Sequence, residues 1–520
     1  MSRRQHICML AAENAALPGA KVGGIGDVVR DIPPALADHN IDVSVVIPAY
    51  GLFHLTDDAQ LLQVLSVPFM GEPLEVSVYE RFPENDSGVC NYVLHAELFS
   101  ACGDGSVYCN DPDHEPFATD ATKFALFSIA ALRFLQSGII GQIDVLHLHD
   151  WHTAFAVVLL KYAPEFNDLT DIRTVYSIHN LAMQGVRPFA GHPSSLESWY
   201  PALQYDKTML VDPRWDDCIN PTASAIRLCQ KIHTVSPTYA REIQVPNDSA
   251  RGFHGGEGLE RDIQQASKSS RLVGIINGTA YNDGPSLKMD WPLLIKRTGE
   301  RVQQWVADPA TVRSVDELAN QRAMAWIDAS EPLHVLTSVG RLTEQKMALM
   351  LRIGADGRTT LEQLLDSLKG RGVFILLASG HAELENICLT IAAERESFLF
   401  LNRFDAELAD WLYANGHLFL MPSSFEPCGI SQMMAMRYGQ PCLAHAVGGL
   451  RDTIKDNIDG FLFSGTSQDA QAAHLVERLI EILAQRTNSP LEYQLISDAA
   501  RRKRFTWQTS SKAYLDQLYS

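Results

Sequence analysis

The sequence predicts an α/β protein of two doubly wound domains, and three observations carry that expectation. At 520 residues the chain is too long for one comfortable hydrophobic core, so two domains are the default. Near the amino terminus an apolar strand, Gln5 to Ala12, leads through Lys21-Val22-Gly23-Gly24 into a helix and then a second strand, Val43 to Ile47. That is one βαβ unit of a parallel sheet with a glycine turn at its ligand-binding end. Between Leu418 and Ile454, two more strand–glycine–helix units stand side by side.

In the later stretch, Leu418 to Met421 reads as a short buried strand stopped by Pro422. The loop Ser423 to Gly429 follows, then a helix from about Ile430 to Tyr438 closed by Gly439. A strand from Pro441 to Ala446 enters Gly448-Gly449 and a further helix. Helix N-termini present unpaired N–H groups and partial positive charge, which suits a phosphate. Glu426 sits at the lip as a polar reacting group, and its bland alternative is a buried acid at a helix entrance with Cys428 as core filler.

Composition narrows the function classes. Hydrophobic content of 46% with 20% charged residues is ordinary for a soluble globular chain. A net charge of −19 and a pI near 5.3 argue against nucleic acid and anionic membrane as partners. Surface charge is screened beyond about 8 Å, so a few local cations suffice for an anionic nucleotide. No run is long enough to span a bilayer. Nine cysteines without a CxxC spacing indicate neither a disulfide framework nor a thiolate zinc site. Cys102 and Cys109 are near enough in sequence to bridge, but a reduced interior is expected. With no signal or transit peptide visible, a cytoplasmic location is expected, or a plastid one for a processed plant protein.

Taken in order, the helix after Gly24 carries Ile25, Val28, Val29, Ile32 and Leu36 on one face, and Pro33-Pro34 is expected to kink or interrupt it. The glycines let the backbone approach a diphosphate and Lys21 adds a point charge, unless the turn serves packing alone. Residues 55 to 120 carry short alternating strands and a polar loop (Cys102 to Pro116), followed by a helix at Ala121 to Gln136. The strand Asp144 to Leu148 runs into His147-Leu148-His149-Asp150-Trp151-His152, which has the residue types of a metal site. The preferred reading puts Asp150 at the carboxyl end of a parallel strand, facing a ligand cleft, with no metal. Thr174 to Ile178 is another strand, ending at His179. Ile226 to Thr234 reads as a strand, with Ser236 as N-cap and Pro237 at the first helical position. Pro246 to Glu260 is polar and glycine-rich, a crossing between domains or a loop near it.

In the second half, the strand Leu333 to Val339 leads into Gly340-Arg341-Leu342-Thr343-Glu344-Gln345-Lys346. Two cations five residues apart after a strand suit a diphosphate, Arg341 bidentately and Lys346 as a point charge. Val373 to Ala378 is a further strand, and Tyr493 to Ser520 reads as a terminal helix.

The segments KVGGIGDVV, HDWH, SIHNLAMQG, HTVSPTYAREI, GRLTEQK and FEPCG, with GGLRDT after it, occur in this order along nearly the whole chain. Together they resemble the bacterial glycogen synthases and plant starch synthases. The resemblance implies a GT-B fold, two Rossmann-like domains facing a deep interdomain cleft. It assigns 1–255 to the acceptor side, 256–500 to the donor side, and 501–520 to a terminal helix crossing back. It implies glucose transfer from ADP-glucose to the non-reducing 4-OH end of an α-1,4-glucan, with retention and with no cofactor or metal. Its catalytic set maps onto Glu426, His179, Asp150, Arg341 and Lys346. Its nucleotide-sugar set maps onto Lys21, Gly23, Gly24, Arg341, Lys346, Cys428, Gly429, Gly448 and Gly449.

Four departures stand out. Ala223 replaces a lysine, Thr279-Ala280 replace Ile-Asp, Met347 replaces a glycine, and Tyr281 to Leu287 drifts from the pattern. Met434 occupies the place of the second glutamate found in other retaining GT-B enzymes, so Glu426 works alone. A transferase using UDP-glucose or a small acceptor, and a weakly active or non-catalytic glucan-binding protein, are the rival readings. Homo-oligomerisation is left open.

Overall fold

A computed structural model describes residues 3–82, 88–281 and 287–520. The chain divides into two compact units, one of residues 1–247, 255–280 and 506–520, the other of residues 248–254 and 281–505. Residues 256–280, placed with the second domain on sequence, belong here to the first unit. The physical reason is pairing: β11 (Leu272–Gly274) closes the first sheet beside β10 (Lys231–Thr234), and Arg227 holds Asp262 at 2.7 Å.

The first unit is built on β1 (His6–Leu10), β2 (Asp42–Pro48), β3 (Ala59–Phe69), β4 (Glu72–Arg81), β5 (Val89–His95), β6 (Val145–His149) and β7 (Arg173–Ile178), with β10 and β11. Their spatial order is β11-β10-β7-β6-β1-β2-β5-β4-β3. All neighbours are parallel except the hairpin β3/β4 and the pair β4/β5. A separate antiparallel pair, β8 (Arg187–Pro188) and β9 (Cys218–Ile219), lies outside it.

The second unit is a six-stranded parallel sheet of β12 (His334–Leu342), β13 (Gly372–Gly380), β14 (Phe398–Leu401), β15 (Leu418–Met421), β16 (Cys442–His445) and β17 (Phe461–Phe463). Its order, β14-β13-β12-β15-β16-β17, is the doubly wound 3-2-1-4-5-6 pattern. Near-continuous apolar runs such as Phe398–Leu401 and Leu418–Met421 form its strands because parallel strands are buried on both faces.

In such sheets ligands bind beyond the carboxyl ends of the strands where the winding reverses. The reversal falls between β1 and β6 in the first unit and between β12 and β15 in the second.

Three local expectations are corrected. The helix Gly24–Ala37 runs through Pro33 and Pro34 without ending. Its stripe of Val28, Val29, Ile32 and Leu36 is buried, and packing against β2 and the helix Trp507–Tyr514 outweighs the backbone bonds lost at the prolines. Residues 226–230 are not strand, because Asn220 caps a helix Pro221–Leu228 by accepting from the Ala223 N–H. The carboxyl-terminal segment is broken into a helix Pro490–Arg502 and a second one, Trp507–Tyr514, restarted by Thr506 as N-cap and running on into a π-helical turn, Leu515–Tyr519.

Candidate active site

In the first unit, β6 carries two histidines onto one face and ends at Asp150. His147 and His149 stack at 4.4 Å between ring centroids. His149 Nδ1 meets His179 Nε2 at 2.9 Å, so one ring of that pair donates and the other accepts. His147 bonds the Tyr519 hydroxyl through Nδ1 and the Ser177 hydroxyl through Nε2, both at 2.7 Å, and Ser177 also bonds His233 at 2.7 Å. These nitrogens are engaged with one another and with hydroxyls. Among the described residues, the one group of three metal-capable side chains is Cys102, Cys109 and Asp120. The two cysteines are joined to each other as a disulfide, which corrects the expectation of a wholly reduced interior. The other seven cysteines are free.

Burial keeps the histidines neutral. It lowers His179 to about 4 and His233 to about 3, and holds His147 and His149 well below their ordinary range. A depressed histidine contributes stability that is complete above pH 6.5 and is lost as the pH falls toward the folded value, because the unfolded chain takes up the proton first. His179 alone accounts for a loss on the order of 3 kcal/mol between pH 6.5 and about 4. Thermal melts across that window should show Tm falling steeply. A flat Tm would mean the rings are already charged in the fold.

Asp150 has φ of +54° and ψ of −177°, a conformation natural to glycine and strained for any other residue. Its side chain accepts the His179 backbone N–H at 2.7 Å and a backbone bond from Asn180, which ties the ends of β6 and β7 together. Burial pushes its carboxyl up to about 8, opposed by those N–H groups and reinforced by the nearby Glu13 charge. Trp151 packs against Phe124, and an added Cβ on Gly185 would lie 2.1 Å from the indole, which accounts for the glycine there.

The glycine turn after β1 is present as expected, with Gly23 capping the helix that begins at Gly24 and Lys21 paired with Asp27 at 2.8 Å. Sequence reasoning missed Glu13, whose Oε2 accepts the N–H groups of Val22 at 2.7 Å and Gly23 at 2.6 Å. A signal was available: Glu13 is the sole acid between Gln5 and Lys21 in a run of small and apolar residues.

In the second unit, Arg341 lies at the end of β12 rather than in a loop, exposed and without an ion pair among the described residues. Lys346 sits in a helical turn, Glu344–Met347, and its ammonium pairs with Glu426 Oε2, which also accepts from the Ser423 hydroxyl at 3.0 Å. Gln345 clamps the two loops, its carbonyl accepting from the Ser424 N–H at 2.8 Å and its amide donating to the Phe425 carbonyl at 2.9 Å. The His254 ring packs tilted against Phe425, 4.3 Å between centroids, a contact no sequence signal pointed to. Ser338, Arg341, Lys346, Met350, Leu376 and Ser423 line a small hollow beyond β12 and β15.

The remaining predicted positions shape backbone. Gly429 has φ of +75°, and Gln432 donates to the carbonyls of Cys428 and Gly429 at 3.1 and 2.9 Å. The Cys428 side chain is buried. A Cβ on Gly448 would stand 2.0 Å from the Glu426 carbonyl, and one on Gly449 2.2 Å from that of Cys428, while the Gly449 N–H donates to the Glu426 carbonyl at 3.0 Å. The two strand–glycine–helix units are thus pressed together at Glu426. Their helices are short, Ser431–Arg437 and Gly448–Thr453.

Two of the departures have structural accounts. Met347 lies in the helical turn with a buried side chain and negative φ, so this position does not demand glycine. Ala223 is fully buried in the first turn of its helix. Residues 282–286 of the drifting segment lie outside the described residues.

The starch synthase catalytic domain family matches residues 6–265, and the family of group 1 glycosyl transferases matches residues 356–496. Glycogen synthases of Streptococcus mutans and Streptococcus sanguinis are 32% and 31% identical, each alignment covering 99% of both chains. The catalytic domain of starch synthase IV from Arabidopsis thaliana, solved bound to ADP and acarbose, superposes with a TM-score of 0.77. It is 25% identical and covers 100% of this chain and 99% of its own. Sucrose-phosphate synthase from Thermosynechococcus elongatus shares the fold at a TM-score of 0.56 and 18% identity, covering 99% of this chain and 98% of its own. The chain belongs to the glycogen and starch synthase family of GT-B glycosyltransferases.

Proposed function

We propose that this protein transfers glucose from ADP-glucose to the non-reducing 4-OH end of an α-1,4-glucan with retention of configuration. The observation that carries the reading is the Lys346–Glu426 pair beside Arg341, built at the winding reversal of a doubly wound sheet. Arg341 and Lys346 neutralise the departing diphosphate, the term that contributes most to lowering such a barrier. Glu426, released from Lys346 as the phosphates arrive, and His179 hold the sugar. Backbone at Cys428, Gly429 and Gly448, with Lys21 and Gly24 in the first unit, completes the donor contacts, while Gly23 and Gly449, whose N–H groups are taken by Glu13 and by the Glu426 carbonyl, shape the turns that carry them.

Asp150 stands by the anomeric carbon. As a neutral acid it does not repel the incoming diphosphate, and its carboxyl dipole stands beside the positive charge that develops on the sugar. The acceptor hydroxyl then attacks the face the diphosphate leaves, and the hydroxyl proton passes to the departing phosphate oxygen. No metal is needed for this route.

The test is incubation of the purified chain with glycogen and labelled ADP-glucose or UDP-glucose, with EDTA present. Label is expected in polymer from ADP-glucose, unchanged by the chelator. Label from UDP-glucose alone, or its loss with EDTA, contradicts the donor or the metal-free assignment respectively.

A further inference from the structure

A buried carboxylate needs donors around it, and Glu13, 1% exposed, has three. Its Oε2 takes the N–H groups of Val22 and Gly23, and its Oε1 takes the Tyr108 hydroxyl at 2.8 Å. Successive N–H groups of a glycine turn ahead of a helix are the ordinary cradle for an anionic ligand. Here an internal anion occupies two of them. The added Cβ of Gly26 would lie 3.3 Å from the same carboxylate and 3.2 Å from Lys21 Cγ, so turn, acid and lysine stem pack as one piece. What the turn still presents is the Lys21 ammonium and the first helical residue, Gly24.

The far side of the piece is also anchored. Tyr108 lies between Val107, whose carbonyl accepts from the fully buried Lys123 at 2.6 Å, and Cys109, which is bridged to Cys102. The Cys109 N–H donates to Asp120 at 3.2 Å, and Asp120 pairs with Lys123 at 2.8 Å. A loop held this firmly can deliver a hydroxyl to one place.

We propose that Glu13, steadied by Tyr108, is a positioning residue that sets the Lys21–Gly24 turn for the diphosphate of the nucleotide sugar. The inference rests on the donor reading above. Glu13 does not touch the donor itself. It uses up the Val22 and Gly23 amides, fixes the helix entrance and aims Lys21.

The test compares Glu13→Gln, Tyr108→Phe and, as a neighbouring control, Tyr50→Phe, which loses a buried bond to the Ala12 carbonyl and leaves the three hydrogen bonds to Glu13 in place. Losing one charge-assisted bond that orders the turn corresponds to about a tenfold change. Both Glu13→Gln and Tyr108→Phe are expected to raise the KM for ADP-glucose about that much, leave the KM for glycogen within about twofold, and speed hydrogen exchange at the Val22 and Gly23 amides. Tyr50→Phe should lower Tm and leave both KM values in place. Faster amide exchange with an unchanged donor KM would overturn the positioning role. So would a donor KM that tracks Tm across all three variants. A wild-type chain that binds and uses no nucleotide sugar would remove the donor reading first, and this inference with it.

Discussion

Glu426→Gln is expected to lower kcat by about 10²–10³-fold, the range found when one preorganised electrostatic group is removed from a transition state. The fold should hardly change, because glutamine still accepts from Lys346 and from the Ser423 hydroxyl. Lys346→Ala should cost as much in turnover, and should raise the donor KM as well, since the ammonium binds ground state and transition state alike. The two groups share one interaction in the free protein, so the double variant should lose far less than the product of the single losses. Steady-state kinetics on the three variants checks this. Near-normal turnover in either single variant would remove the pair from the chemistry.

Asp150→Asn is expected to abolish most activity and to stabilise the protein, more at pH 8 than at pH 5. The sign follows from linkage. A raised carboxyl contributes stability in its neutral form, complete below the unfolded value near 4 and lost as the pH rises toward about 8. Asparagine is neutral throughout, so the gap between variant and wild type should widen over that window. The backbone strain at φ +54° stays in Asp150→Asn and is relieved only in Asp150→Gly, by about 1–3 kcal/mol. Melts of the three proteins at both pH values decide the matter. An Asp150→Asn protein less stable than wild type at pH 8 would show that the carboxylate is charged in the fold and supported by its N–H partners. Stability gained at the expense of rate is what a strained catalytic position predicts.

Why these residues were legible, and others were not, follows from the physics of each. Strand-end residues such as Asp150, His179 and Arg341 stood out because a short apolar run followed by a polar residue marks the carboxyl end of a buried parallel strand. Gly448 and Gly449 were legible as glycines, but the reason for them, the carbonyls of Glu426 and Cys428, exists only once β15 and β16 are neighbours. Glu13 was visible as a lone acid, yet its hydrogen bonds to Val22 and Gly23 depend on the loop folding back. The ring contact of His254 with Phe425 joins residues far apart in sequence and leaves no periodicity to find. Pro33 and Pro34 misled because local propensity was outweighed by an apolar stripe with a sheet to pack on. The reading of 226–230 as strand failed because its apolar residues are short and ambiguous, and the Asn220 cap was not recognised.

The measurement that tests the central claim most directly is the linkage formed when the wild-type chain elongates a glucan with labelled ADP-glucose. Anomeric proton NMR of the product, with digestion by an exo-acting enzyme specific for α-1,4 bonds, reads it. Newly added glucose should be α-linked at the 4-OH of the non-reducing end and fully released by the digestion. Label that stays out of polymer, or enters it through a β bond, would contradict the account.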